Sequence, residues 1–173
     1  MTDRRIRRIK EQDVAAAVGL VHELAEYERE PDSCHLTEDQ LRTALFRPSP
    51  ALFGHVAEVD GETVGCALWF LNFSTWRGTH GIYLEDLYVR PSHRGTGLGR
   101  ALLATLAEEC ISQGYSRLEW WVLNWNTPAI GLYKALGAEP MQDWTVYRLT
   151  DSALASVGAG DISTQTAPKL KET

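Results

Sequence analysis

The sequence predicts an α/β domain, a central mixed, twisted sheet carrying helices on both faces. Three observations point there. Strand-like apolar runs and helix-period runs follow one another in the order βααβββαβαβ. A basic, glycine-dense turn, Arg94-Gly95-Thr96-Gly97-Leu98-Gly99-Arg100, joins a strand to a helix. The chain's 173 residues, 44% apolar and 23% charged, suffice for one core without staples.

Arg4 to Ile9 reads as the first strand, with residues 8–13 as the turn out of it. Val14, Ala17, Val18, Val21, Leu24 and Ala25 recur at helical spacing and predict a helix to about Tyr27, broken at Pro31. Thr37 opens a second helix, with Gln40 completing a capping box and Leu41, Ala44 and Leu45 as the apolar face. Leu52 to Val59 and Thr63 to Phe73 are strand runs joined at Asp60-Gly61, a hairpin signal. Gly81 to Val89 is the next strand. The helix after the glycine turn carries Leu98, Leu102, Leu103, Leu106 and Ile111 and stops at Gly114. Leu118 to Leu123 reads as a strand, Pro128 sits in the first turn of a short helix ending at Gly137, and Thr145 to Leu149 reads as the last strand.

Residues 1–150 thus form one expected domain, and residues 151–173, rich in Ala, Ser, Gly and Thr, a loosely ordered tail. The net charge of −6 speaks against nonspecific nucleic-acid binding. No apolar run is long enough to span a bilayer, and the basic N-terminus lacks a secretory apolar stretch. Three scattered cysteines, Cys34, Cys66 and Cys110, argue for a reducing cytoplasm, and no CxxC or HxxxH pair suggests a metal.

The glycine turn fails two familiar phosphate patterns. No Lys-Ser or Lys-Thr follows it as a Walker loop requires, and Gly95, Gly97 and Gly99 alternate as GxGxG instead of GxGxxG. The shared physics remains: glycines let successive backbone N–H groups form a nest, and the helix after it adds its positive end. Arg94 and Arg100 can add charge-assisted bonds to an anion. A tight strand-to-helix turn with solvated arginines is the alternative. The tryptophans Trp120, Trp121 and Trp125 read as core or interface in preference to an aromatic box around a cation. His55, His80 and His93 read as surface or turn residues.

"VRPSHRGTGLGRALL" (residues 89–103) resembles the coenzyme A pyrophosphate loop of the GNAT N-acetyltransferase superfamily. "ELAEYERE", "LTEDQL", "FSTWRGTHGIYLEDLYV" and "LNWNTPAIGLYKALGAE" further resemble the diamine (spermidine/spermine) acetyltransferases and their thialysine-acetylating relatives. Ser74-Thr75-Trp76 looks more like the thialysine branch, and Gln142-Asp143-Trp144-Thr145 departs from the acidic pair and Gly-Trp common in the family.

The resemblance implies a GNAT fold, acetyl-CoA as co-substrate, a small primary amine as acceptor and a homodimer. It implies that the backbone of Leu87, Tyr88 and Val89 pairs with the pantetheine arm, and that Arg94, Gly95, Thr96, Gly97, Leu98, Gly99 and Arg100 hold the pyrophosphate. Asn126 would lie near the arm and Tyr133 by the thioester sulfur. Tyr27, Glu28, Glu85 and Asp86 would face the amine. A protein lysine or N-terminal acetyltransferase, or a coenzyme A sensor without turnover, are the competing readings.

The chemistry needs such groups. An alkylamine of pKa about 10.4 is neutral in roughly one part in a few thousand at pH 7, so freeing the nucleophile costs about 4 to 5 kcal/mol. A carboxylate that takes this proton through water suits Glu85, leaving Asp86 or Glu28 to fix cationic groups. Neighbours in a strand point to opposite faces, which keeps Glu85 and Asp86 in separate roles. Tyr133 would protonate the leaving thiolate, and a backbone N–H near Val89 would stabilise the oxyanion.

Overall fold

The computed structural model describes residues 3–160. Five strands run β1 (Ile6–Arg8), β2 (Phe53–Val59), β3 (Glu62–Ser74), β4 (Thr79–Val89) and β5 (Leu118–Glu119), in spatial order β1-β2-β3-β4-β5. The first four pair antiparallel and β5 pairs parallel to β4, so the sheet is mixed, as expected. Helices α1 (Val14–Tyr27) and α2 (Glu38–Phe46) precede β2, α3 (Leu98–Gln113) follows β4, and α4 (Thr127–Ala135) and α5 (Asp151–Gly158) follow β5.

Local chemistry explains most of these boundaries. The Thr37 hydroxyl accepts from the Gln40 N–H at 3.3 Å and Gln40 Oε1 from the Thr37 N–H at 2.9 Å, closing the capping box before α2. Asp60 and Gly61, both at positive φ (53° and 81°), turn β2 into β3. Asp13, ahead of α1, takes the Arg7 guanidinium at 2.6 Å and the Lys10 N–H at 2.8 Å, tying the first strand to the first helix.

The two faces of the sheet carry two cores. Leu98, Leu102, Leu103 and Leu106 of α3 pack on Ala57, Val64, Ala67, Trp69, Ile82 and Leu84. Val14, Ala17 and Leu20 of α1, with Leu41 and Leu45 of α2, pack on Val56, Cys66, Leu68 and Tyr88. Helices therefore cover both faces, and each fully buried leucine contributes about 2 kcal/mol.

Four expectations about the elements and their faces need correction. Strand β5 stops at Glu119 instead of Leu123, because it pairs with β4 only at Ile82↔Leu118 and Tyr83↔Glu119. Thr145 to Leu149 forms no strand; the run is exposed along its length and has no ladder among the described residues. The expected loose tail begins instead with α5, an exposed helix, while residues 161–173 lie outside the described part. Ile111, counted with the apolar face of α3, points to solvent because it falls outside the stripe set by Leu102, Leu106 and Cys110.

His55 is not a surface residue. It is buried on β2, where its Nδ1 accepts from the Trp69 Nε1–H at 3.2 Å, and burial with nearby Arg8 pushes its pKa down to about 4. The folded state thus holds fewer protons here than the unfolded chain between pH 4 and 6.5. Relative to His55→Gln, the wild type should lose up to about 3 kcal/mol of stability as pH falls through that window. Urea unfolding of both proteins at pH 7 and pH 4.5 measures the difference.

Candidate active site

The parting of β4 from β5 positions the site. Gly81 allows the two strands to meet closely, since a Cβ there would lie 2.7 Å from Arg117 Cγ and 3.0 Å from the Arg117 carbonyl. After Tyr83 the strands separate, and the β4 edge turned away from β3 has no strand partner among the described residues. A cleft of about 540 Å³ fills the gap. Its walls are Leu84 to Val89 on one side and Trp120 to Val122 with Asn126, Leu132 and Tyr133 on the other. Arg94, Gly95 and Gly97 to Arg100 close one end, and Tyr27, Glu28, Glu85 and Asp86 lie along it. Every sequence-predicted site residue except Thr96 lines this one cleft.

At the turn, Gly95 and Gly97 adopt φ of +77° and +88°, a left-handed backbone that side chains disfavour. Gly97 caps α3, and the N–H groups of Gly95 through Arg100 meet no protein acceptor among the described residues. Such a row of free donors at a helix start is fitted to an anion. Thr96 serves the turn itself: its hydroxyl donates to the His93 carbonyl at 2.6 Å and its own carbonyl accepts from Arg5 at 3.3 Å. Arg94 reaches inward. Its guanidinium lies over the rings of Tyr27 (4.6 Å) and Tyr88 (5.3 Å), and its Nε–H donates to the Val89 carbonyl at 2.9 Å.

The acid end is shaped by a β-bulge. Leu68 opposes Asp86 while Trp69 opposes Leu84, so Glu85 is the extra residue of β4. The bulge lets Leu84 stay in the α3-side core while Asp86 joins the α1 face only two residues later. Glu85 is exposed and Asp86 partly buried. Burial, reinforced by Glu85 and Glu28, pushes Asp86 up to about 6, and burial raises Glu28 as well.

On the opposite wall, Tyr133 of α4 packs edge-on against Trp120 at 4.9 Å. Burial, then Glu28 and Tyr27, hold its hydroxyl above the usual tyrosine range, which keeps it protonated at neutral pH. The Asn126 side chain caps α4 and accepts the Tyr27 hydroxyl at 3.1 Å, so α1 and α4 are linked across the cleft. Trp125 adds a ring contact with Tyr27 at 5.7 Å. Trp120 packs against the α3-side core and also lines the cleft, in keeping with a core reading, whereas Trp121, on the cleft wall, and Trp125, beside Tyr27, are well exposed and are not core. Sequence reasoning missed Trp120, Trp121 and Leu132 as cleft residues, since aromatic and leucine spacing alone does not tell a core from a wall.

Among the described residues no group of three or more His, Cys, Asp or Glu could hold a metal ion, and no helix is long and apolar enough to cross a membrane. The sequence profile of the acetyltransferase (GNAT) family matches residues 18–138. A thialysine N-epsilon-acetyltransferase of Bos taurus is 39% identical over 160 residues, covering 86% of this chain and 94% of the relative. An L-ornithine N5-acetyltransferase of Arabidopsis thaliana is 35% identical over 98 residues, 57% of this chain and 43% of the relative. An integron cassette protein from the mobile metagenome of V. cholerae superposes with a TM-score of 0.74 at 25% identity, covering 88% of this chain and 96% of that one. With this family match over a splayed mixed sheet, the chain belongs to the GNAT acetyltransferase family.

Proposed function

We propose that this acetyltransferase moves an acetyl group from acetyl-CoA to the primary amine of a small cationic substrate: a diamine, a polyamine, thialysine or a lysine-like amino acid. One observation carries the reading. A free-amide anion nest, a protonated tyrosine and three carboxylates line a single cleft beside an unpaired strand edge. Thialysine- and ornithine-acetylating relatives favour a small amine as the acceptor.

The residues fit the co-substrate, which supplies an activated thioester. Gly95 to Arg100 would hold its diphosphate on their N–H groups, and the open edge of Leu87, Tyr88 and Val89 would take its amide arm as an added strand does. Arg94 must then exchange its Val89 carbonyl for the ligand. Asn126 would border the arm from the α4 side.

The ammonium of the acceptor enters among Asp86, Glu28 and Tyr27, where a cation relieves the repulsion between carboxylates. Glu85, solvent-open on the bulge, takes the proton through water. The neutral nitrogen attacks the acyl carbon, the N–C bond forms and the C–S bond breaks. Tyr133 hands its Oη proton to the departing sulfur and regains, through water, the second proton that the new amide nitrogen gives up. A main-chain N–H of the β4 edge near Val89 steadies the developing oxyanion.

We further propose a homodimer, supported by the exposed Trp144, Val146, Tyr147, Leu149, Leu154 and Val157 of the C-terminal run. The three free cysteines suit the cytoplasm.

Incubating the protein with acetyl-CoA and thialysine, lysine, putrescine, spermidine or a histone peptide, and following free thiol, tests the assignment. Release with small amines is expected. Release only with the peptide, or coenzyme A binding without release, overturns it. Tyr133→Phe should lower kcat about 100-fold with acetyl-CoA affinity changed less than about two-fold. Because Asp86 titrates at about 6, kcat/KM for the amine should fall as pH drops below that value. Asp86→Asn should abolish that acid limb. The same variant should raise Tm at pH 7.5, since the folded state penalises the charged carboxylate, and the gain should shrink as pH falls through about 6 and vanish below about pH 3, where folded and unfolded carboxyls are both protonated.

A further inference from the structure

The acid end of the cleft continues along β4 into a patch of opposite sign. Phe70 shares the α1 face of β3 with Leu68, and its register partner Tyr83 therefore shares the α1 face of β4 with Asp86. The Tyr83 ring meets Trp121 edge-on at 5.8 Å. Trp121 in turn carries the Arg148 guanidinium 5.7 Å from its ring centroid. Arg148 forms no ion pair with a carboxylate among the described residues. Burial, then Glu85, raises the Tyr83 hydroxyl; Arg148 opposes them and Glu119 adds to the rise, so charges of both signs converge on this residue. Glu119 binds Arg117 and Asn72 through one oxygen, Oε2.

This layout is polar along its length. Glu28, Glu85 and Asp86 make one end negative, and the uncommitted Arg148 makes the other positive. Tyr83 and Asp86 are three strand residues apart, roughly 10 Å at about 3.3 Å per residue, less what the bulge removes. An extended amino acid with a side-chain amine, met by the long arginine side chain, spans that gap. A diamine or polyamine would bring a second cation against the guanidinium instead, which costs binding.

Resting on the amine-acetylating reading above, we propose that Arg148, steadied on Trp121, is a specificity-determining residue that holds the α-carboxylate of an amino acid acetylated on its distal amine. Glu119 Oε1, which takes no hydrogen bond among the described residues, gives the α-ammonium a further acceptor. The acceptor is thereby read at both ends, and selection against bare diamines follows from charge alone.

Three acceptors of one length test this: L-lysine, L-lysinamide, whose carboxylate is neutralised, and cadaverine, which lacks it. The wild type should prefer L-lysine over both. Arg148→Ala should lower kcat/KM for L-lysine about ten-fold, chiefly through KM, and bring the lysine-to-lysinamide ratio close to one. Arg148→Lys should restore part of that ratio. An unmoved ratio in a folded, active Arg148→Ala protein overturns the role of Arg148, and so does a wild type that uses lysinamide or cadaverine as well as lysine. The wild-type comparison needs no variant. A wild type that releases thiol with no amine at all instead removes the amine reading, and this proposal with it.

Discussion

Strand β4 is held on both sides for only its first residues. Beyond Tyr83 it keeps β3 and loses β5, and the backbone groups on the abandoned edge are left facing a cleft. The two walls of the cleft follow from this parting. The far wall can carry Tyr133 and Trp120 because β5 no longer occupies the space. The near wall can carry Glu85 and Asp86 because the bulge releases β4 from strict alternation. Gly81 supports both, since the strands can separate later only if they first come close enough to bond.

The cleft is electrostatically divided, which the net charge of −6 conceals. Its turn end offers free amides, Arg94 and Arg100 to an anion. Its other end crowds three carboxylates whose mutual repulsion and partial burial favour an arriving cation. Between them Arg94 lies across Tyr27 and Tyr88, and Tyr27 reaches Asn126 on the opposite wall. On the proposed reading, an anion that draws Arg94 outward would disturb Tyr27, which also borders the acid end, so the two proposed substrates would meet a coupled lining.

Much of this was legible beforehand. The helix of residues 14–27, the capping box at Thr37, the hairpin at Asp60-Gly61 and the start of α3 at the glycine turn all rest on neighbours within a few residues. The residues proposed for the site come from a resemblance carried by contiguous motifs, and the fold gathers all of them but Thr96 along one cleft. His55 shows the opposite case. Its burial depends on Trp69, fourteen positions away on the next strand, and nothing near it in sequence distinguishes it from the exposed His80.

Taken alone, the amino-acid order determined the periodicities, the turn chemistry and the row of donors after Val89, since each is an interaction between residues close along the chain. Only the tertiary structure decided where β4 and β5 part, that Glu85 is an extra residue, that Trp120 and Trp121 line a cleft, and that Thr145 to Leu149 finds no ladder. Those outcomes depend on pairing between segments dozens of residues apart. A strand's fate is fixed by the neighbour it meets, and local pattern does not contain the neighbour.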